Sequence, residues 1–79
     1  MLRRLSSMII AQILKVIPSG EYFEIIDMNK PVLTGYVSTV EKLPVFATVH
    51  DDMKYQQVYA AFHVELVDKV DNVWKINTR

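Results

Sequence analysis

Leu2-Arg3-Arg4-Leu5-Ser6-Ser7-Met8-Ile9-Ile10-Ala11-Gln12-Ile13-Leu14-Lys15-Val16-Ile17 decides the fold class, because it reads in two ways. Leu2, Leu5, Ile9, Ile13 and Val16 recur at helical spacing, with Arg4, Ser7, Ala11 and Lys15 opposite them. Against that stripe, Ile9, Ile10, Ile13, Val16 and Ile17 are β-branched, and such side chains fit a pleated strand better than a helix. The flanking residues tip the balance toward strand. With Ser19-Gly20 as a two-residue hairpin loop, Ile17 faces Tyr22, Val16 faces Phe23, Lys15 faces Glu24 and Leu14 faces Ile25. Each pair matches in character, and Lys15–Glu24 is of opposite charge. The sequence therefore predicts strands at 8–17 and 21–27, with residues 1–7 an arm or a helical lead-in. The alternative is an α+β domain whose N-terminal helix covers an antiparallel sheet.

Further along, Asn29-Lys30-Pro31 is a turn cluster and Val32 to Val40 the next candidate strand. Leu43-Pro44 breaks the chain, and a proline is tolerated at the first position of a strand. Val45, Ala47 and Val49 alternate, as do Val58, Ala60, Phe62, Val64 and Leu66. A loop at Asp51-Asp52-Met53-Lys54 sets Val45 against Ala60 and Ala47 against Val58, both apolar sets on one face. A helix over 52–66, with Tyr55, Tyr59, Phe62 and Leu66 on its stripe, competes with this hairpin but leaves out Val64 and Val67. A last loop at 68–72 sets Leu66 against Trp74, Val64 against Ile76 and Glu65 against Lys75. These three registers agree on a mainly β domain, a small antiparallel sheet or barrel of five to six strands, SH3-like or OB-like by shape alone.

Composition narrows the functional classes. The chain has 79 residues, which is the size of a single small domain. Lys plus Arg number 9 and Asp plus Glu number 9, so no net charge draws it toward nucleic acid or a charged membrane surface. Hydrophobic residues are 51% of the chain, too many for disorder, yet no apolar run approaches the ~20 residues of a membrane span. With no cysteine, a disulfide scaffold and a thiolate zinc site are excluded. Arg3 and Arg4 before Met8–Ile17 imitate a signal peptide, but Gln12 and Lys15 interrupt the stretch and no small-residue cleavage site follows. A cytoplasmic location is the default expectation.

Those registers also give the strands a second apolar face. Phe46, Tyr55 and Tyr59 lie on it in one hairpin; Ile13, Ile17 and Tyr22 lie on it in the other. Two-sided apolar strands need cover on both sides. A core of this size supplies no more than about 3–5 kcal/mol, so a second copy of the chain is the economical cover. The expectation is a non-enzymatic interaction module (subunit, adaptor or inhibitor) that self-associates as a dimer through Ile13, Ile17, Tyr22, Phe46, Tyr55 and Tyr59. The competing expectation is a β-barrel that stacks single-stranded nucleic acid on aromatics such as Tyr36. In that reading Arg3, Arg4 and Lys54 would contact phosphates. Zero net charge argues against it, since phosphate neutralisation dominates such affinity.

Other chemistry finds little support. His63 and Glu65 share a strand face at a spacing that suits two metal ligands, but His50 would lie roughly 26 Å away at strand rise. Ser38, Thr39, Thr34 and Thr48 have no nucleophile elbow or triad-like neighbourhood. Gly20 and Gly35 are the only glycines, too few for a phosphate-cradling loop. No cofactor, metal or enzymatic activity is expected.

Overall fold

The computed structural model describes residues 8–79 together with the backbone of Arg3–Arg4. The strands are β1 (Arg3–Arg4), β2 (Tyr22–Asp27), β3 (Lys30–Val37), β4 (Pro44–Phe46), β5 (Val64–Val70) and β6 (Val73–Thr78). Helix α1 (Ile10–Val16) lies between β1 and β2; α2 (Val49–Lys54) lies between β4 and β5 and runs on into a π-helical turn at Tyr55–Tyr59. The strands form one sheet in the order β1-β5-β6-β2-β3-β4, antiparallel except for the parallel β2–β6 pair at its centre. The fold is mainly β, as expected. It is an open mixed sheet with edges at β1 and β4, so neither the closed barrel nor a wholly antiparallel sheet forms.

The N-terminal stretch is helical, and packing explains why. Ile10, Ile13, Leu14 and Ile17 recur at i, i+3, i+4 and i+7 and are all buried, while Lys15 and Val16 face solvent. Each β-branched residue in the helix sacrifices roughly 0.5 kcal/mol of propensity, whereas burying each aliphatic side chain gains about 1.5–3 kcal/mol. Burial wins. The first turn is tied to the rest of the chain: Ile10 N–H donates to the Phe62 carbonyl (3.0 Å) and Ala11 N–H to the Ala60 carbonyl (3.1 Å). Gln12 Oε1 reaches back to accept from Ile9 N–H (3.0 Å). Pro18 ends the helix, holding Ile17 in an extended conformation at φ −70°, ψ 131°. The buried stripe differs from the one read along the sequence. Val16 belonged to that stripe and is 62% exposed, and Leu2 and Leu5 lie outside the described residues. The 15–24 hairpin does not form.

The second departure is at 49–59, where a helix replaces the expected hairpin. Thr48 caps it, its Oγ1 accepting from Asp51 N–H at 3.3 Å, and Asp51 and Asp52 sit in the first turn where carboxylates favour a helix N-terminus. Ala60 N–H donates to the Tyr55 carbonyl (2.9 Å) and closes the π turn that brings Tyr59 into the core. Both helices join one core: α1 supplies Ile10, Ile13 and Leu14, with Ile17 just after it, and the sheet supplies Phe23, Ile25, Leu33, Val37, Phe46, Val64, Val67 and Ile76. Phe46 meets Phe23 edge-on at 5.5 Å and stacks with Tyr55 at 4.9 Å. Gly35 makes room for that cluster, since a Cβ there would run into the Val45 carbonyl oxygen and crowd the Phe23 ring.

Hairpins join β2 to β3 and β5 to β6. Met28 and Asn29, at φ 53° and 65°, form the two-residue loop between Asp27 and Lys30. Asp71-Asn72 forms the other, between Val70 and Val73. This loop is shorter than the 68–72 loop expected, and the register moves by three residues. Val67 pairs with Ile76 and Lys69 with Trp74, while Leu66 and Trp74 lie on opposite faces. Glu65 is absorbed in a bulge. Among the described residues no helix is long and apolar enough to cross a membrane.

Candidate docking face

Because both helices pack on one side, the sheet has an inner and an outer face. Registers place the outer side chains in rows across the strands. Val45, Tyr36, Tyr22, Val73 and Val70 are successive partners from β4 to β5 and form one row. Tyr22 is 55%, Tyr36 42% and Val70 48% exposed. The two tyrosine rings lie 6.0 Å apart at 60°, within the range of favourable aromatic pairs. Two residues further along, Thr34, Glu24, Lys75 and Asp68 form a second, polar row. In it Lys75 Nζ donates to Glu24 Oε1 at 2.7 Å. Ile26 and Asn77 pair in a third row, with Leu66 beyond. The tyrosines, Val45, Val73 and the Thr34–Glu24 edge line a shallow depression of about 440 Å³.

An ionic cluster flanks the sheet on the inner side. Trp74 Nε1 donates to Glu21 Oε1 (2.6 Å), Lys69 Nζ bridges to the same oxygen (3.0 Å), and Lys69 lies 5.1 Å from the Trp74 ring centroid. The indole hydrogen bond, reinforced by Lys69, holds the Glu21 carboxyl below the usual carboxylate range. Burial against Phe46 pushes the Tyr55 phenol up. A second hollow of about 670 Å³ lies between α1, residues 41–44 and Tyr55, with Lys15, Glu41 and Lys42 at its walls.

The structure separates the six residues expected at an interface. Ile13, Ile17, Phe46 and Tyr59 are buried in the chain's own core, because the helices supply the cover that a second copy was expected to bring. Tyr55 is half-buried on Phe46, and Tyr22 alone stands on an open face. Of the four expected nucleic-acid contacts, Tyr36 stands beside Tyr22 on the outer face. Lys54 closes α2 on the helical side, 5.9 Å from the Tyr59 ring. Arg3 and Arg4 pair through their backbone with Val67 and Leu66, and their side chains lie outside the described residues. Tyr36 and Lys54, the two described in full, thus lie on opposite sides of the sheet. Sequence reasoning missed Val45, which joins the tyrosines through the β3–β4 pairing, and Val70 and Val73, whose place on the row depends on the parallel β2–β6 pairing. Lys75 was assigned to Glu65 and Glu24 to Lys15, and the two pair instead with each other. His50 and His63 lie on α2 and just before β5, and the described residues contain no cluster of three His, Cys, Asp or Glu.

Comparison of the chain with protein-family models, curated proteins and solved structures finds no match. The chemistry of the outer face has to be taken from its own residues. Tyr22, Tyr36 and Val70 of its aromatic row are exposed, and contiguous exposed apolar side chains mark contact surfaces. Its Glu24–Lys75 pair is internally neutral.

Proposed function

We propose that the chain is a non-enzymatic protein-interaction module that self-associates through the outer face of its sheet. The observation that supports this is the segregation of both helices to one face. The Val45–Tyr36–Tyr22–Val73–Val70 row is thereby left open on the other. Antiparallel sheets can expose one face to water, but that face is then ordinarily polar. Here its first row is wholly aromatic and aliphatic, and tyrosine is the residue type most at home in protein contacts. Light scattering on the full chain across a concentration series tests the reading. The expected mass is twice 9.2 kDa, retained at high salt because apolar contact is not screened. Tyr36→Lys returns the mass to that of one chain with an unchanged circular dichroism spectrum. A single-chain mass for the wild type at every concentration overturns the reading.

A second reading draws on the Tyr22–Tyr36 pair, since adjacent exposed rings on a sheet are stacking platforms for bases. The charge balance weakens it: among the described residues of the outer face Lys75 is neutralised by Glu24, and the chain has no net charge. Binding of a labelled single-stranded oligonucleotide that falls steeply with salt would favour this second reading.

A further inference from the structure

We infer that the outer face docks on the same face of a second copy about a two-fold axis running parallel to the strands, between β2 and β6. The inference rests on the self-association just proposed and adds its geometry. The boundary between β6 and β2 divides the sheet order into β1-β5-β6 and β2-β3-β4, three strands on each side. Rotation about an axis along that boundary exchanges β2 with β6 and β3 with β5, and each cross-strand row then meets its own reverse. A two-fold interface must be self-complementary in this sense.

The rows meet that requirement. In the first, Tyr22 lies over the partner's Val73 and Tyr36 over the partner's Val70, so both large rings on one half of the sheet face small aliphatics on the other half. Large against small is the arrangement that lets facing layers interdigitate. In the second row Glu24 lies over the partner's Lys75. With the Glu24–Lys75 pair inside each chain, four charges alternate in sign around the axis. Thr34 lies over the partner's Asp68, polar on polar.

Charge complementarity selects this axis over the obvious alternative. A two-fold axis along the second row would stack Glu24 on the partner's Glu24 and Lys75 on the partner's Lys75, and like charges directly opposed are repulsive. Aligned sheets cross at about 30°, so register is kept best near the axis, where Tyr22, Glu24, Val73 and Lys75 lie.

Cysteine-free chains allow a direct test with residues far from the axis. Facing sheets stand about 10 Å apart, beyond disulfide reach, so a short bis-maleimide is the probe. Tyr36→Cys and Val70→Cys chains, one carrying an affinity tag, are mixed after light scattering shows that each still associates. The expected result is a shift from single-chain to double-chain mass on a denaturing gel in the mixture, with both chains in the product, and no shift for either variant alone. Thr34→Cys with Asp68→Cys repeats the test and leaves the tyrosines in place. Self-linking of either variant, or no linking in both mixtures while the wild type is dimeric, overturns the axis and leaves the docking face standing. A monomeric wild type overturns both.

Discussion

Ile13 and Val16 lie three residues apart on α1, and truncating each to alanine separates the helix in the structure from every other reading of this segment. Ile13 is 2% exposed and Val16 62%. Ile13→Ala removes three carbons from the core, about 2.4 kcal/mol at ~0.8 kcal/mol per methylene. A residual cavity adds to that cost, while alanine regains roughly 0.4 kcal/mol of helix propensity. The expected loss is about 2–4 kcal/mol, or ~10–25 °C in melting temperature for a domain of this size. Val16→Ala removes two carbons that already face water and regains about 0.5 kcal/mol of propensity, so its stability stays within about 0.5 kcal/mol of wild type. Urea unfolding followed by circular dichroism, at fixed protein concentration so that association does not enter, measures both. Equal losses for the two variants would refute the packing described for α1. A strand at 8–17, or a helix presenting Ile13 and Val16 on one stripe, predicts other patterns.

Two further outcomes follow from the caps and the ionic cluster. Thr48→Ala removes the acceptor for Asp51 N–H and is expected to cost about 1 kcal/mol in the same urea assay, with Thr48→Ser restoring most of it; no loss in Thr48→Ala would argue against the helix start. Glu21 has a folded-state pKa below its ordinary value of 4.5, so its contribution to stability is complete above that value and is lost as pH falls through the folded pKa. Trp74 fluorescence, reporting on the indole that donates to Glu21, should change over that acidic window in the wild type and stay flat in Glu21→Gln; identical profiles would remove the hydrogen bond as the cause.

How far the fold was legible depends on what kind of signal each segment carried. β2 and β3 stand close to where alternation and turn chemistry put them, because Phe23 and Ile25 against Leu33 form a local pattern across a two-residue loop. The α2 segment was legible too, but in a different sign language: Thr48-Val49-His50-Asp51 has the spacing of a helix N-cap followed by an acid three residues on. Read as turn formers, the same aspartates led to a hairpin. α1 was less accessible. Its β-branched residues favour a strand locally, and only the sheet beneath Ile10, Ile13, Leu14 and Ile17 makes the helix the better bargain. The β5–β6 register failed for a related reason: the alternation of Val64 and Leu66 put both on one face, whereas the bulge at Glu65 turns Leu66 outward and brings Val67 inward. The choice is made by Val67 and Ile76, which must both meet helices the hairpin cannot see.

The candidate face inherits those limits in an instructive way. Tyr22 was expected at a protein interface and Tyr36 at a nucleic-acid surface, and the structure puts them side by side on one row. Nothing in their sequence separation of fourteen positions fixes that outcome, because one β2–β3 register step would leave the two rings on opposite faces of the sheet. Of the remaining members, Val73 and Val70 reach the row only through the parallel β2–β6 pairing, a contact between segments about two thirds of the chain apart. The argument for a second copy also changes its basis. From sequence it rested on a shortage of material to cover two apolar faces. In the structure the two helices cover one face completely, and Ile13, Ile17, Phe46 and Tyr59 are spent on it. What remains for a partner is therefore a smaller surface than the sequence implied, but a better defined one: a row of five apolar side chains beside the Glu24–Lys75 pair. A surface of that kind can specify orientation, because the apolar row supplies contact while the ion pair penalises every docking that sets like charges face to face.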